Sequence, residues 1–160
     1  MAFEIFGLYF QPPTTNRSSK KIIVLIITKF IESLKKMFDD IKAFYDQFVE
    51  DFSLFDATII ASKYQAPYTS VSAEGDIWES KEADEIVTYF QILLDKHASE
   101  NVVACKYEDL ECVAIGKRCF LATVTWTMMA AEGKVISNWR ESYNLVQTDK
   151  GLKIFTSIDH

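Results

Sequence analysis

Apolar residues recur at intervals of three and four between residues 31 and 52, and charged residues fill the positions between them. This spacing places the apolar side chains on one face of a helix, so we predict a first helix over about 31–52. A second helix is predicted over about 56–62, with Asp56 as its N-cap. The apolar positions of this predicted helix are Leu34, Met37, Phe38, Ile41, Phe44, Tyr45, Phe48 and Phe52.

The segment after the second helix predicts a short hairpin. Pro67 excludes a continuing helix and favours extended backbone in the residue before it. The segment 68–72 has the composition of a short strand, and Gly75 lies in a turn over 74–76. We expect Ile77 and the residue after it, Trp78, to pair back onto this strand.

A long helix is predicted next, over about 80–98, with Ser80 as its N-cap. Acidic residues lie in its first turns, whereas Lys96 and His97 lie near its end. Both ends therefore suit the helix dipole. One face of this helix carries Ile86, Phe90, Leu93, Leu94 and His97.

After Asn101 the apolar period changes from about 3.6 to 2, which predicts strands. Three turn signals divide this part of the chain, at Gly116-Lys117, Glu132-Gly133 and Asp149-Lys150-Gly151. The order of elements predicts an α+β fold, with the helices segregated onto one face of a curved antiparallel sheet. The four predicted strands cover about 102–115, 118–131, 134–148 and 152–159.

A two-residue turn at Glu132-Gly133 sets the pairing of the two strands around it. Trp126 then lies opposite Trp139, and Val124 lies opposite Glu141. The face toward the helices carries Ala122, Val124, Trp126, Met128, Val135, Trp139, Glu141, Tyr143 and Leu145, and the outer face carries Thr123, Thr125, Thr127, Asn138, Arg140, Ser142 and Asn144. With a two-residue turn before it, the last strand adds Leu152, Ile154, Thr156, Ile158 and His160 to the inner face.

Three polar residues fall on this inner face: Glu141, Tyr143 and His160. Burial beside tryptophans raises the pKa of a carboxyl group, which suits a general base near neutral pH. Glu141 is therefore our candidate base, and Tyr143 is the candidate donor to a developing oxyanion. The structural alternatives are an ion pair or an outward bulge for Glu141, a simple hydrogen bond for Tyr143, and fraying for the terminal His160.

The strand at 102–115 has two possible registers. A tight turn at Gly116-Lys117 places Asp109 opposite Val124, on the same side as Glu141, and creates a pair of carboxylates. A β-bulge instead turns Leu110, Cys112 and Ala114 inward. We favour the bulge because it buries more apolar surface, and we keep Asp109 as a second catalytic candidate.

Several segments match a known pattern: the hairpin from Tyr64 to Trp78, Val124-Thr125-Trp126, the run from Asn138 to Val146, Gly151-Leu152-Lys153-Ile154 and Ile158-Asp159-His160. With the order of elements, they resemble the nuclear transport factor 2-like superfamily, which includes the SnoaL-like polyketide cyclases and the ketosteroid isomerases. The resemblance covers about 34–160.

The resemblance implies a cone-shaped curved antiparallel sheet with three helices packed on its concave face, around a deep apolar pocket. It also implies a dimer, in many members, through the outer face of the sheet, and activities that include isomerisation, cyclisation, epoxide hydrolysis and dehydration. The run Arg140-Glu141-Ser142 departs from the Arg-x-Asp pattern of the epoxide hydrolases. His97 and His160 are the only histidines available to match the paired histidines of the scytalone-type dehydratases.

We therefore expect a protein that binds a small apolar or aromatic metabolite. If it is an enzyme, we expect an isomerase, cyclase or lyase that uses a pocket carboxylate. The alternative is a non-catalytic ligand-binding or dimerisation module. The partner expected besides the ligand is a second copy, and we expect no cofactor and no bound metal. The predicted ligand-binding residues are Tyr64, Trp78, Trp126, Trp139 and His160.

Charge is distributed unevenly over the 160 residues, whose formal net charge is −6. The first 36 residues are basic and the remainder is acidic, and we expect no nucleic-acid partner because the overall charge balance is acidic. We assign residues 31–160 to one domain and 1–30 to an extension. The extension is explained by translation that starts at Met37 or, alternatively, by a membrane-surface anchor. We expect no membrane partner. Three cysteines without a zinc or CxxC spacing favour a reducing, cytoplasmic location.

Overall fold

The computed structural model describes residues 17–160, and the side chains from residue 21 onward. The chain divides into two compact units, with the boundary between Met37 and Phe38. Three helices are present in the described residues: α1 at Arg17–Phe52, α2 at Ala57–Ala61 and α3 at Ala83–Ser99. None of them is both long enough and apolar enough to cross a membrane.

Six strands of the second unit form one open, curved sheet in the order β2-β1-β6-β5-β4-β3. The predicted four-stranded antiparallel meander is confirmed. The sheet as a whole is mixed, however, because β1 joins β6 in parallel. The strands are β1 at Tyr64–Val71, β2 at Ile77–Ser80, β3 at Ala104–Ala114, β4 at Cys119–Met129, β5 at Val135–Thr148 and β6 at Gly151–Asp159.

Helix α1 is longer than predicted, since it begins at Arg17 rather than near residue 31. No glycine or proline occurs between Arg17 and Phe52, so no residue in this stretch interrupts the helix. Part of the predicted extension over 1–30 is therefore helical. Residues 1–16 lie outside the described residues.

The shorter elements agree with the predictions apart from their boundaries. Asp56 caps α2 as predicted, accepting hydrogen bonds from two backbone N–H groups. Helix α3 begins after Glu82 rather than at Ser80, because the carboxylate of Glu85 accepts the backbone N–H of Glu82 at 3.2 Å. Ser80 instead ends β2 and is fully buried.

The predicted register between β4 and β5 is confirmed: Trp126 pairs with Trp139, and Val124 pairs with Glu141. Glu132 and Gly133 both adopt positive φ, at 62° and 77°, as a tight hairpin turn requires. The turn has three residues, 131–133, rather than the predicted two, because the Ala130 N–H donates to the Lys134 carbonyl at 2.8 Å. A register shift after Met128 then restores the predicted pairing in the body of the hairpin.

The bulge that we favoured in the first long strand is present in β3, between Glu108 and Glu111. Asp109 lies in the bulge with a φ of 53°. Beyond it, Cys112 pairs with the fully buried Ala122 and therefore belongs to the inner face. The alternative register, with Asp109 beside Glu141, is wrong.

A second bulge, which we did not predict, interrupts the pairing of β5 with β6. Leu145 pairs with Ile154 on the inner face, as expected, but the register shifts immediately afterwards. The extra residue reverses which side chains face inward. Ser157 and Asp159 therefore lie on the inner side, whereas the predicted inward positions of Thr156, Ile158 and His160 are wrong.

The helices pack on the inner face through aromatic rings. The ring centroids of Tyr45 and Phe48, both from α1, lie 6.1 and 5.4 Å from that of Trp126 in β4. Tyr45 also lies 5.7 Å from Tyr143. Aromatic pairs at these distances stabilise a fold by more than the burial of their apolar surface alone. The aromatic cluster therefore stabilises the interior around the centre of β5.

Replacing Ile154 tests the packing that the second bulge preserves. Ile154 is 0% exposed, so we expect Ile154→Ala to lower the free energy of unfolding by about 2–5 kcal/mol through lost burial and a residual cavity. Ile77→Ala is the matched control, because Ile77 is 73% exposed. Urea unfolding measures both variants, and equal losses would contradict the assigned inner face.

Candidate functional site

An inner cavity of about 80 Å³ lies between the helices and the inner face of the sheet. Its wall is largely aromatic, with rings from two helices and three strands. This volume is well below the range of about 300–1,000 Å³ that is usual for ligand pockets, so the inner cavity alone holds only a small chemical group. The rings include Phe48, Tyr64, Phe90, Trp126, Trp139 and Tyr143.

A wider space of about 390 Å³, which we call the vestibule, adjoins the inner cavity. Trp139, Glu141 and His97 line both spaces. The vestibule is more polar than the inner cavity, because its wall also contains Lys96 and Asp159. The vestibule alone lies within the usual size range of ligand pockets, and a bound molecule that also enters the inner cavity passes Glu141.

Glu141 lies at the junction of the two spaces within a chain of hydrogen bonds. The Tyr143 hydroxyl donates to Glu141 Oε2 at 2.5 Å, and the Trp139 indole donates to the same oxygen at 3.2 Å. The indole of Trp126 in turn donates to the Tyr143 hydroxyl at 2.6 Å. The side chain of Ser157 in β6 makes a further hydrogen bond with this carboxyl group.

Burial raises the pKa of Glu141 from 4.5 to about 7. The hydrogen bond from Tyr143 opposes this shift, while the nearby carboxylate of Asp159 adds to it. Near neutral pH the carboxyl group therefore occurs in both protonation states. A group with this pKa can accept a proton and return it without a large free-energy cost in either direction.

Tyr143 is placed differently from our expectation of an oxyanion donor. Its hydroxyl proton is directed at Glu141, and burial raises its pKa well above the usual value. The phenol therefore remains neutral over the physiological range. Its observed position suits it to orient the carboxyl group of Glu141, and it is not free to donate to a ligand while that bond exists.

Three predicted binding residues line the inner cavity: Tyr64, Trp126 and Trp139. Trp78 does not line it. The Trp78 side chain is 54% exposed, and its ring packs against that of Tyr89 at a centroid distance of 5.9 Å. This indole lies outside the cavity because β2 is the edge strand of the sheet.

Two further predicted site residues lie on the outer face. The bulge in β3 directs the carboxylate of Asp109 to the Thr125 hydroxyl, at 3.2 Å. The bulge between β5 and β6 directs the ring of His160 to the outer face, where Nε2 lies 2.8 Å from the Ser142 hydroxyl. Neither residue contributes to the cavity or the vestibule.

The sequence analysis missed two residues of the site. Asp159 is paired with Glu141 across the strands, and burial raises its pKa. His97 lines both spaces, and its Nδ1 is buried without a hydrogen-bond partner, 3.9 Å from a carboxylate oxygen of Glu100. Burial lowers the pKa of His97, so the imidazole is neutral at pH 7. The apolar period of α3 had already placed His97 on the inward face.

The comparisons with known proteins agree with this architecture. The family model described as "NTF2-like protein (DUF6841)" matches residues 39–160. The chain belongs to this NTF2-like family. The matched region coincides closely with the second compact unit and confirms the nuclear transport factor 2-like fold predicted from the sequence.

Solved structures with the same fold share little sequence with the NTF2-like domain. Aln2 from a Streptomyces species is 12% identical, with a TM-score of 0.64, over 78% of this chain and 90% of that one. An NTF2-like protein of unknown function from Shewanella oneidensis is 12% identical, with a TM-score of 0.61, over 76% and 96%. A ketosteroid isomerase-like protein from Erwinia carotovora is 16% identical, with a TM-score of 0.55, over 76% and 92%. Among curated proteins, none matches the chain.

The raised pKa of Glu141 predicts a change of stability with pH. Between about pH 4.5 and 7 the unfolded chain has released this proton while the folded chain retains it, so rising pH favours unfolding over this window. Glu141→Gln removes this contribution. Relative to the wild type, the variant should therefore gain about 2–3 kcal/mol between pH 4.5 and 7.5, because one pKa unit corresponds to about 1.4 kcal/mol.

Urea unfolding at a series of pH values measures this difference. Glu79→Gln is the matched control, since Glu79 lies exposed on β2. The control should leave the pH dependence of the wild type unchanged. A constant difference between Glu141→Gln and the wild type over the whole window would contradict the placement of Glu141.

Proposed function

We propose that the NTF2-like domain binds a small apolar or aromatic molecule with an enolisable carbonyl group and moves a proton next to that carbonyl. Glu141 is the proposed base. The observation that carries this proposal is a buried carboxyl group with a pKa of about 7, at the junction of an apolar cavity and its vestibule. The likeness to a ketosteroid isomerase-like protein supports the fold alone.

The proposed step is a proton transfer. Ionised Glu141 takes a proton from the carbon next to the carbonyl, the electron pair of the broken C–H bond moves toward the carbonyl oxygen, and an enolate forms. The protonated carboxyl group then returns the proton to another carbon, which isomerises the molecule, or to the same carbon, which exchanges its hydrogen. The apolar walls strengthen every electrostatic interaction along this path.

The enolate oxygen requires a hydrogen-bond donor. Tyr143 already donates to Glu141, so we assign this role to the neutral imidazole of His97, which lines both spaces with a ring nitrogen that has no partner. A neutral imidazole can donate an N–H to developing negative charge without first losing a proton to the carboxylate. The Trp139 indole donates a second hydrogen bond to the Glu141 carboxylate and helps to orient it.

Hydrogen exchange with a small aromatic ketone tests this proposal. We expect the protein to accelerate deuterium incorporation into 2-indanone in D₂O, followed by proton NMR. The acceleration should follow the ionisation of a group with a pKa of about 7. Glu141→Gln should lower it by about 10²–10⁴-fold, the usual contribution of general base catalysis.

Two further variants separate catalysis from packing. Glu79→Gln should leave exchange unchanged, because Glu79 is exposed on β2. Tyr143→Phe should move the pH profile to higher pH, since the hydrogen bond from Tyr143 lowers the pKa of Glu141. The proposal fails if 2-indanone binds, as shown by changes in tryptophan fluorescence, while its exchange equals that in buffer.

The second candidate function is a non-catalytic binding module. The small volume of the inner cavity favours it, because aromatic rings already fill most of the interior. A module of this kind would bind 2-indanone or a related aromatic molecule with an affinity that Glu141→Gln leaves unchanged. Tight binding without exchange would therefore support this candidate in place of the enzyme.

We also propose a homodimer through the outer face of the sheet. In support, this face carries a hydrogen-bonded group formed by Thr123, Ser142 and His160, beside the 39%-exposed side chain of Ile158. Sedimentation velocity should show a dimer at micromolar concentration that Ile158→Asp dissociates. A monomer at all concentrations would contradict this part of the proposal.

A further inference from the structure

The described part of the first compact unit presents an unusual helical surface. Within residues 21–34 of α1, every large hydrophobic side chain is at least 39% exposed. At about 100° per residue, Ile23, Ile27, Phe30 and Leu34 fall within an arc of about 60°. With Val24, Ile26 and Ile31 beside them, they form a continuous surface of about 160°, which we call the apolar face.

The opposite side of the same helix is basic. Lys21, Lys29, Lys35 and Lys36 lie on it, and Glu32 is the one acidic residue of this segment. We call this side the lysine face. Its centre lies about 160° from the centre of the apolar face, and it also carries Ile22 and Leu25. Helices with a broad apolar face, a lysine-rich polar face and no dense acidic charge are typical of those that lie in the plane of a membrane interface.

We propose that this segment of α1 binds the surface of an anionic lipid bilayer, with its apolar face inserted at the level of the headgroups. The lysine stems can extend beside the inserted side chains and keep their ammonium groups near the lipid phosphates. This proposal replaces our sequence-based expectation of no membrane partner. It is independent of the proposed function, because none of these residues lines the cavity or the vestibule.

Two features favour a lipid surface over a second copy of the chain. The apolar face is wider than the narrow seam that one partner helix covers in a coiled coil, whereas a lipid surface covers it fully. The charge of the segment is also one-sided, with four lysines and one glutamate over residues 21–36. An anionic surface complements this charge, and a second copy adds more of the same sign.

Flotation of the full chain with vesicles tests the proposal. The vesicles contain phosphatidylcholine alone or phosphatidylcholine with about 30% phosphatidylserine, an anionic content of the kind that attracts basic segments. We expect preferential binding to the anionic vesicles, weakened by added salt. The double variant Lys29→Gln/Lys35→Gln should weaken that binding by about 25-fold, since each lysine near such a surface contributes about fivefold.

Substitutions on the two faces provide a matched comparison. Ile27→Gln/Leu34→Gln removes apolar contacts from the apolar face and should weaken vesicle binding at least about tenfold. Ile22→Gln/Leu25→Gln makes equivalent changes on the lysine face, and it should retain most of the binding. The thermal unfolding midpoint of every variant should match that of the wild type, because these side chains are exposed.

The other outcomes overturn the proposal. Absence of wild-type binding to anionic vesicles rejects it, and so does an equal effect of the two double variants. If the chain instead self-associates through this helix, Ile27→Gln/Leu34→Gln will abolish a concentration-dependent oligomer while vesicles bind neither protein. That result would assign the apolar face to a second copy.

Discussion

The alternation of side chains along β5 is the constraint on which the interior of this domain depends. Trp139, Glu141 and Tyr143 are separated by two residues each, so they share the inner side of one strand and can hydrogen-bond with one another. A slip of one residue would bring Arg140 and Ser142 inward instead. The candidate base, its orienting phenol and one wall of the cavity therefore all follow from the pairing of β5 with β4.

This arrangement lowers the free energy of unfolding near neutral pH, because it buries a carboxyl group. Burying Glu141 disfavours its charged form, as its raised pKa shows. Hydrogen bonds from Tyr143 and Trp139 offset part of that cost, and the ring of Tyr45 from α1 packs beside Tyr143 at a centroid distance of 5.7 Å. Proton transfer near neutral pH requires a carboxyl group that is partly protonated. The burial that destabilises the fold is therefore the same feature that suits Glu141 to the proposed chemistry.

The sequence alone predicted the fold family and the inward positions of Glu141 and Tyr143 on β5. Turn residues at Glu132-Gly133, together with the period of two, predicted the pairing that the structure confirms. The same reasoning was wrong for β6, because a bulge after Ile154 leaves no clear mark in the residues. His160 was consequently placed inward, and Asp159 was overlooked. A bulge depends on how two strands coil against each other, which a local pattern does not contain.

The two bulges have opposite effects on the carboxylates of the site. The bulge in β3 directs Asp109 to the outer face, and the bulge in β6 directs Asp159 to the vestibule. Asp159 is paired with Glu141 and raises its pKa, so it helps to keep the buried carboxyl group partly protonated. The vestibule wall thus carries charged side chains of both signs, including Asp159 and Lys96, while the inner cavity is lined mostly by aromatic rings. A polar vestibule that leads to an aromatic cavity past Glu141 suits the proposed ligand, a small aromatic molecule with one polar carbonyl group.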